Sequence, residues 1–154
     1  MRPTVSVILS AYRHKAYVGR AMESVYAQTF SDYEFLIADD GSFDGTAEEI
    51  KRHLRPQNTR FFPLSKNIGA CAALNGLLPL CRGKYVALLN SDDEFLPEKL
   101  ARQVRFLEKH PACAAAFTWA RLIDERGAPL PGAHPLQQLF DQPPRSRTDW
   151  LRRF

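Results

Sequence analysis

The chain has 154 residues, 45% of them hydrophobic and 25% charged, with a formal charge of +4 at pH 7. That is one ordinary globular domain with enough residues for a real core, and no run approaches the ~18 apolar residues of a membrane span. The basic residues are spread along the chain without the aromatic-interleaved patch of a nucleic-acid binder, so no nucleic-acid partner is expected. Arg145, Arg147, Arg152 and Arg153 gather near the C-terminus, where solvent is the default partner and anionic lipid or a phosphate the alternatives. Met1-Arg2-Pro3 leads straight into an apolar segment, and no signal peptide is visible. Cys71, Cys81 and Cys113 are odd in number, lack metal-ligand spacing and read as small core residues of a reducing compartment.

Residues 4–9 are β-branched and apolar, a first buried strand that ends at Ser10-Ala11-Tyr12-Arg13-His14. From Tyr17 to Gln28 the apolar positions Val18, Ala21, Met22 and Val25 recur at i, i+3, i+4 and i+7, which predicts an amphipathic helix. Residues 33–38 make a second strand, and it runs into Asp39-Asp40-Gly41-Ser42. Thr46-Ala47-Glu48-Glu49 fits a capping box, with Thr at N-cap and Glu at N3, opening a short helix through Leu54. Residues 59–64 form a third strand. Asn67-Ile68-Gly69 is a loop before a helix that places Cys71, Leu74, Leu78 and Cys81 on one face and ends at Arg82-Gly83, with Gly as the C′ residue.

Tyr85 to Leu89 is a run of five apolar residues, long enough for a strand buried on both faces and too short for a helix. It stops at Asn90-Ser91-Asp92-Asp93-Glu94. Clustered carboxylates at a strand end are a natural place for a divalent cation, and they are equally good turn formers ahead of Pro97 as a helix N1 residue. A helix over 97–109 turns Leu100, Val104 and Leu107 inward, residues 112–123 are strand-like, and Asp124-Glu125-Arg126-Gly127 resembles a hairpin turn. Phe117-Thr118-Trp119 reads as sheet core rather than a sugar platform. Beyond Gly127 the prolines at 129, 131, 135, 143 and 144 crowd a span with no clear element, and Trp150-Leu151 ends the chain with nothing after it to pack on. The division is therefore 1–127 and a Pro-rich 128–154, with the chain cut on its C-terminal side.

The order βαβαβαβαβ argues for an α/β fold: a mostly parallel sheet with helices on both faces. In such a sheet the three polar strand ends, 10–14, 39–42 and 90–94, fall on one edge and converge.

With those residues in place, the chain resembles the family 2 glycosyltransferases of GT-A (Rossmann-like) fold, from Val5 to Gly127. The matching pieces are Val5 to Tyr12; Ala21-Met22-Glu23-Ser24-Val25 with Gln28-Thr29-Phe30; Asp39-Asp40-Gly41-Ser42 with Asp44-Gly45-Thr46; Asn67-Ile68-Gly69; Ala73-Leu74-Asn75-Gly76; Gly83-Lys84-Tyr85; and Asn90-Ser91-Asp92-Asp93 with Pro97. Their order and spacing are specific together, not singly.

The resemblance implies a nucleotide-diphospho-sugar donor, a UDP-sugar in the first instance, and a sugar or lipid-linked acceptor. It implies a donor site of Ser10, Tyr12, Asp39, Asp40, Asn67 and Gly69. Tyr12 matches the aromatic that stacks on the base, worth ~1–3 kcal/mol, or else it packs over the following helix. Asp40 matches the acid that accepts a hydrogen bond from the base imide, with Asp39 beside it; an Asx turn or cap can coexist with that role. Asn90-Ser91-Asp92 stands in the place of the family's Asp-X-Asp motif, which implies Mn2+ or Mg2+ held by Asp92 and more weakly by Asn90. Ser91 and Asp93 would be sugar-contacting or supporting residues. Leu74 stands where the family commonly has Arg, so a donor contact is lost.

His53 and His110 read as surface or helix-end residues, and His14 edges the site. The catalytic base of inverting transfer is expected beyond Phe154, since Asp141 and Asp149 lack the right context. No catalytic residue is assigned, and these 154 residues are expected to be the donor- and metal-binding part of an inverting hexosyltransferase-type enzyme, inactive alone. The resemblance implies cell-surface polysaccharide or glycoconjugate synthesis and a cytoplasmic protein, with peripheral association of the full-length protein at the inner membrane face. Two rivals are a sugar-nucleotide nucleotidyltransferase and a degenerate, non-catalytic binding domain. The first lacks a Gly-rich basic loop after strand one. The second is favoured by the length and by Asn90, and opposed by the intact Asp39-Asp40 and Asp92-Asp93 pairs.

Overall fold

A computed structural model describes residues 2–130 of the chain. The chain divides into two compact units, Met1–Ala114 and Ala115–Phe154. In the first unit the strands are β1 (Val5–Ala11), β2 (Tyr33–Asp39), β3 (Thr59–Pro63) and β4 (Tyr85–Asn90), and the helices are α1 (Val18–Tyr26), α2 (Thr46–His53), α3 (Ala70–Leu77) and α4 (Lys99–Lys109). The sheet is four-stranded and all parallel, in the order β3-β2-β1-β4. The α/β expectation holds, with helices on both faces.

The two-residue period of the strands sorts their side chains. Val7 of β1 lies opposite Phe35 of β2 and Ala87 of β4, and this layer is buried with Val18, Met22, Val25, Ile50 and Leu100 of α1, α2 and α4. The alternate layer, Ile8 and Leu36, packs with Ala73 and Leu77 of α3. Burying such side chains is worth about 1.5–3 kcal/mol each.

Several expectations fail on this frame. β4 is not buried on both faces: Leu88 is 63% exposed and Val86 is also exposed, because α3 packs over β1 and β2 rather than over β4. In α3 the inward positions are Ala73 and Leu77, flanked by Leu74 and Cys81, whereas Cys71 and Leu78 face solvent. The helix stops at Leu77 and continues only as a short 3-10 turn, Leu78–Leu80, around Pro79. Cys113 is exposed as well, so of the three thiols only Cys81 is partly buried.

Gly83 is no helix C′ residue. It sits where the chain enters β4 against β1, and a Cβ there would lie 2.4 Å from the Ser6 backbone nitrogen. The Ser6 hydroxyl accepts the Gly83 N–H (2.8 Å) and donates to the buried Glu34 carboxylate (2.8 Å), which also accepts the Arg82 N–H (2.6 Å). Close backbone approach, not helix termination, selects glycine here.

The capping box is also displaced. Thr46 is the first helical residue of α2, Gly45 (φ 93°) precedes it, and no side-chain cap of the expected type forms. The Asp44 carboxylate instead accepts the Thr46 N–H at 3.1 Å and the Thr46 hydroxyl at 2.6 Å. Asp44 thus satisfies the first N–H of the helix from outside it, and the Glu49 N–H that a Thr46 cap would have taken donates to the Gly45 carbonyl. At α4, Pro97 lies in the turn before the helix, which begins at Lys99.

The strand-like stretch 112–123 carries no strand, only an isolated antiparallel bridge between Ile123 and Pro129. Strand propensity measures fit to a half-buried pleated surface. Phe117 and Trp119 are 74% and 58% exposed, so they are not sheet core. The turn at 124–127 does form: the Asp124 carboxylate accepts the N–H groups of Arg126 and Ala128 (2.8 Å each), and Gly127 takes φ 84°. Asp141, Asp149, Trp150-Leu151, the C-terminal arginines and the prolines past 130 lie outside the described residues. Among the described residues no helix is long and apolar enough to cross a membrane.

Candidate functional site at the carboxyl edge of the sheet

The chain leaves β1 toward β2 and β3 and later returns on the other side of β1 as β4. That reversal is the switch point beside which open α/β sheets bind ligands, in the crevice past the strands' carboxyl ends. Ser10 lies opposite both Ala38 and Asn90, and Ala11 lies opposite Asp39. The register thus brings the polar ends of β1, β2 and β4 to one edge.

Asp40 is 0% exposed, and both its oxygens are taken: Oδ1 accepts the Ile68 N–H at 2.8 Å and Oδ2 the Gly69 N–H at 2.9 Å. Its own N–H donates to the Ala11 carbonyl. Gly41 lets the loop pass, since its φ of 68° suits glycine and a Cβ would lie 2.5 Å from the Lys66 carbonyl carbon. Asp39 differs. It is 3% exposed, its Oδ2 accepts the Ser42 N–H at 3.2 Å, and its Oδ1 accepts no hydrogen bond among the described residues. A buried carboxylate oxygen left without a donor is costly and marks a place for one.

His14 ties the three strand ends together. Its N–H donates to Thr46 Oγ1 (3.0 Å), and the same hydroxyl donates to Asp44. Its carbonyl accepts the N–H groups of Tyr17 and Val18 and so starts α1. Its Nδ1 lies 2.7 Å from the Ser91 hydroxyl, and its ring meets Tyr17 edge to face. Burial works to raise the Asp44 carboxyl, but the Thr46 hydroxyl and the N–H groups of Lys15 and Thr46 outweigh it and hold it below the ordinary aspartate value. Arg13, at φ 57°, donates its N–H to Ser42 Oγ and lays its guanidinium over the exposed Phe43 ring.

At the end of β4, Asn90 Nδ2 donates to Asp93 Oδ2 at 2.8 Å, and the Asp93 N–H closes the turn on the Asn90 carbonyl. Ser91 points inward and is buried, whereas Asp92 is exposed and makes no hydrogen bond or ion pair among the described residues. The following segment is anchored on α1: Ser24 Oγ accepts the Phe95 N–H, and the Gln28 amide donates to the Leu96 carbonyl and accepts the Leu100 N–H.

Among the described residues no three His, Cys, Asp or Glu side chains gather as a ready-made metal cage. A hard cation shared with a diphosphate asks only one or two protein carboxylates, with phosphate and water oxygens completing the shell. The free Asp92 carboxylate and the side-chain Oδ1 of Asn90, whose Nδ2 is already engaged by Asp93, fit that demand.

The structure therefore joins Asp40 to Gly69, Ser10 to Asn90 in register, Asn90 to Asp93, and His14 to Ser91. Tyr12 and Asn67 stand exposed at the same edge, and Leu74 packs at the margin of the α3 core rather than in the site. His53 and His110 end α2 and α4, as read from the sequence. Ser24 and Gln28 are supports that sequence reasoning gave no role, their only signal being their place in matched segments, and Thr46, read there as a helix cap, instead links His14 to Asp44.

The family model described as Glycosyl transferase family 2 matches residues 6–150. An uncharacterized glycosyltransferase of Methanocaldococcus jannaschii, MJ1057, is 32% identical over 92% of this chain and 50% of its own length. The putative teichuronic acid biosynthesis glycosyltransferase TuaG of Bacillus subtilis is 35% identical over 84% of this chain and 51% of its own length. The chain thus spans about half the length of these relatives. Among solved structures, S. aureus TarS 1-349 in complex with UDP aligns with a TM-score of 0.61 at 27% identity, covering 70% of this chain and 32% of that one.

Proposed function

This chain belongs to glycosyl transferase family 2, and from that premise we propose that it is the donor-binding part of an inverting, hexosyltransferase-type enzyme. The donor is a nucleotide-diphospho-sugar, a UDP-sugar in the first instance, and the acceptor is a hydroxyl of a sugar or lipid-linked glycan. The observation that carries this reading is the buried, donorless Oδ1 of Asp39 at the end of β2. A carboxylate only accepts, so it suits the imide N–H of uracil. Asp40, matched to that role by resemblance, spends both oxygens on Ile68 and Gly69; the base contact is therefore assigned to Asp39, and Asp40 shapes the loop around it.

Tyr12 offers an exposed ring at the end of β1 for stacking on the base. Ser10, Asn67 and Gly69 line the remainder of the donor site. Asp92, with Asn90 through its side-chain Oδ1, would hold Mn2+ or Mg2+, and Asp93 keeps the Asn90 side-chain amide turned so that this oxygen is left available. When bound, such a cation offsets the charge that grows on the leaving diphosphate. No general base is assigned among these residues. Support for a UDP-sugar comes from TarS, whose solved complexes contain UDP and UDP-GlcNAc. Support for cell-surface polymer synthesis comes from TuaG. A cytoplasmic site of action, at the inner membrane face for the whole protein, belongs to the same proposal.

Calorimetry with UDP and Mn2+ tests it. Binding that is lost in both Asp39→Ala and Asp92→Ala is expected; binding unchanged in both would overturn the assignment.

A further inference from the structure

We propose that His14 is a positioning residue for the cation-binding turn: its ring seats Ser91 and thereby turns Asp92 outward toward the donor diphosphate. The inference rests on the donor-site reading above and deepens it. Ser91 and Asp92 are neighbours with opposite fates, the first 3% exposed and the second in solvent. Something must hold the inward one. What holds it is the hydrogen bond between His14 Nδ1 and Ser91 Oγ at 2.7 Å, across 77 positions of sequence.

The ring is itself held without help from Ser91. His14 donates its N–H to Thr46 Oγ1, receives Tyr17 and Val18 on its carbonyl, and rests its ring against Tyr17. These contacts fix the backbone of His14 to the base-side loop through Thr46 and Asp44, and to the start of α1. The ring then carries that fixed position across to β4. The loop facing the base and the turn facing the diphosphate are therefore registered to one another by a single imidazole. A side-chain substitution at 14 removes the Ser91 hydrogen bond and the edge contact with Tyr17, and leaves the bonds to Thr46, Tyr17 and Val18, which the His14 backbone makes.

Seating the turn matters for a cation more than for a base. A site with one free carboxylate and one amide oxygen has few ligands to spare, so a small displacement of Asp92 weakens it steeply. The Asp39 contact and the Tyr12 ring lie on other strand ends and do not depend on Ser91.

The test is UDP affinity of the 154-residue chain with and without Mn2+, in the parent, His14→Ala, Ser91→Ala, the double variant and His14→Asn. In the parent Mn2+ is expected to tighten UDP. His14→Ala and Ser91→Ala should keep metal-free UDP affinity and each lose about tenfold of the Mn2+ gain, with the double variant no worse than either single one. His14→Asn places an amide group near the Nδ1 position and should restore most of the gain. A metal-free urea-unfolding cycle of the parent, the two alanine variants and the double variant should show coupling between positions 14 and 91. An Mn2+ gain that survives His14→Ala, or losses in metal-free and metal-bound affinity alike, would overturn the positioning role alone. No UDP binding or no Mn2+ gain in the parent would overturn the donor-site reading and this inference with it.

Discussion

Asp40 and Gly69, 29 positions apart, are joined by a 2.9 Å hydrogen bond from the Gly69 backbone to a carboxylate that is fully buried. The companion oxygen takes the Ile68 N–H, so one side chain at the end of β2 fixes the loop that leads into α3. Two orphan donors near that helix start are satisfied by a charge, the stronger kind of acceptor.

Asp40→Ala should therefore cost more than a surface substitution. Hydrogen bonds to charged groups are worth about 1.5–3 kcal/mol, and leaving buried N–H groups unpaired adds to that. A drop of about 2–4 kcal/mol in urea-unfolding stability is expected. Asp40→Asn should fall between, since its NH2 group can accept nothing from Gly69.

Asp39→Asn should behave in the opposite way. Its Oδ1 has no partner to lose, so stability should change by less than about 1 kcal/mol. UDP affinity, by contrast, should fall roughly 10- to 100-fold, the equivalent of one charge-assisted hydrogen bond. The split between stability and affinity, read by urea unfolding and calorimetry on one sample, separates the two neighbouring acids.

Gly83→Ala probes the entry of β4. The new Cβ would meet the Ser6 nitrogen at 2.4 Å and the Val5 carbonyl carbon at 2.6 Å, both backbone atoms of the central strand. Neither can swing aside, so a loss of about 1–3 kcal/mol is expected in the urea midpoint, at the scale of overpacking.

Glu34 gives a pH signature. Burial works to raise its carboxyl, but the Arg82 N–H, the Ser6 hydroxyl and the Arg82 guanidinium outweigh it and hold the group below the ordinary glutamate value. A lowered folded-state value means the unfolded chain binds the proton first as pH falls. The stabilisation is thus complete above the unfolded value of about 4.3 and is lost as pH drops through the folded one. The parent should lose stability more steeply than Glu34→Gln on acidification below about pH 4.5, as measured by urea unfolding at a series of pH values.

Much of this was legible in the sequence, and the rest was not for identifiable reasons. β1, β2 and α1 were readable because burial on their faces leaves an unbroken periodic pattern, as Val18, Met22 and Val25 show. The run at 85–89 misled, since an apolar run states what a strand tolerates and not which layer covers it; Val86 and Leu88 remain exposed. The stretch 112–123 misled because strand propensity has no force without a pleated, half-buried setting. Thr46 looked like a cap because the better acceptor, Asp44, lies just outside the motif. Within the site, residue types at strand ends pointed to the right edge. Which of two adjacent acids is spent on the fold, and which oxygen is left over, is a tertiary fact. So is the pairing of His14 with Ser91.

The central claim is that the carboxyl edge of this sheet takes a nucleoside diphosphate with its cation. Amide NMR of the 15N-labelled chain tests it most directly, with UDP and trace Mn2+ against UDP and Mg2+ as the diamagnetic control. Selective loss of signal at 12–14, 39–42 and 90–93, with Val5, Tyr33 and Tyr85 at the opposite strand ends untouched, is the predicted result. Uniform broadening, or broadening centred on those opposite ends, would contradict it.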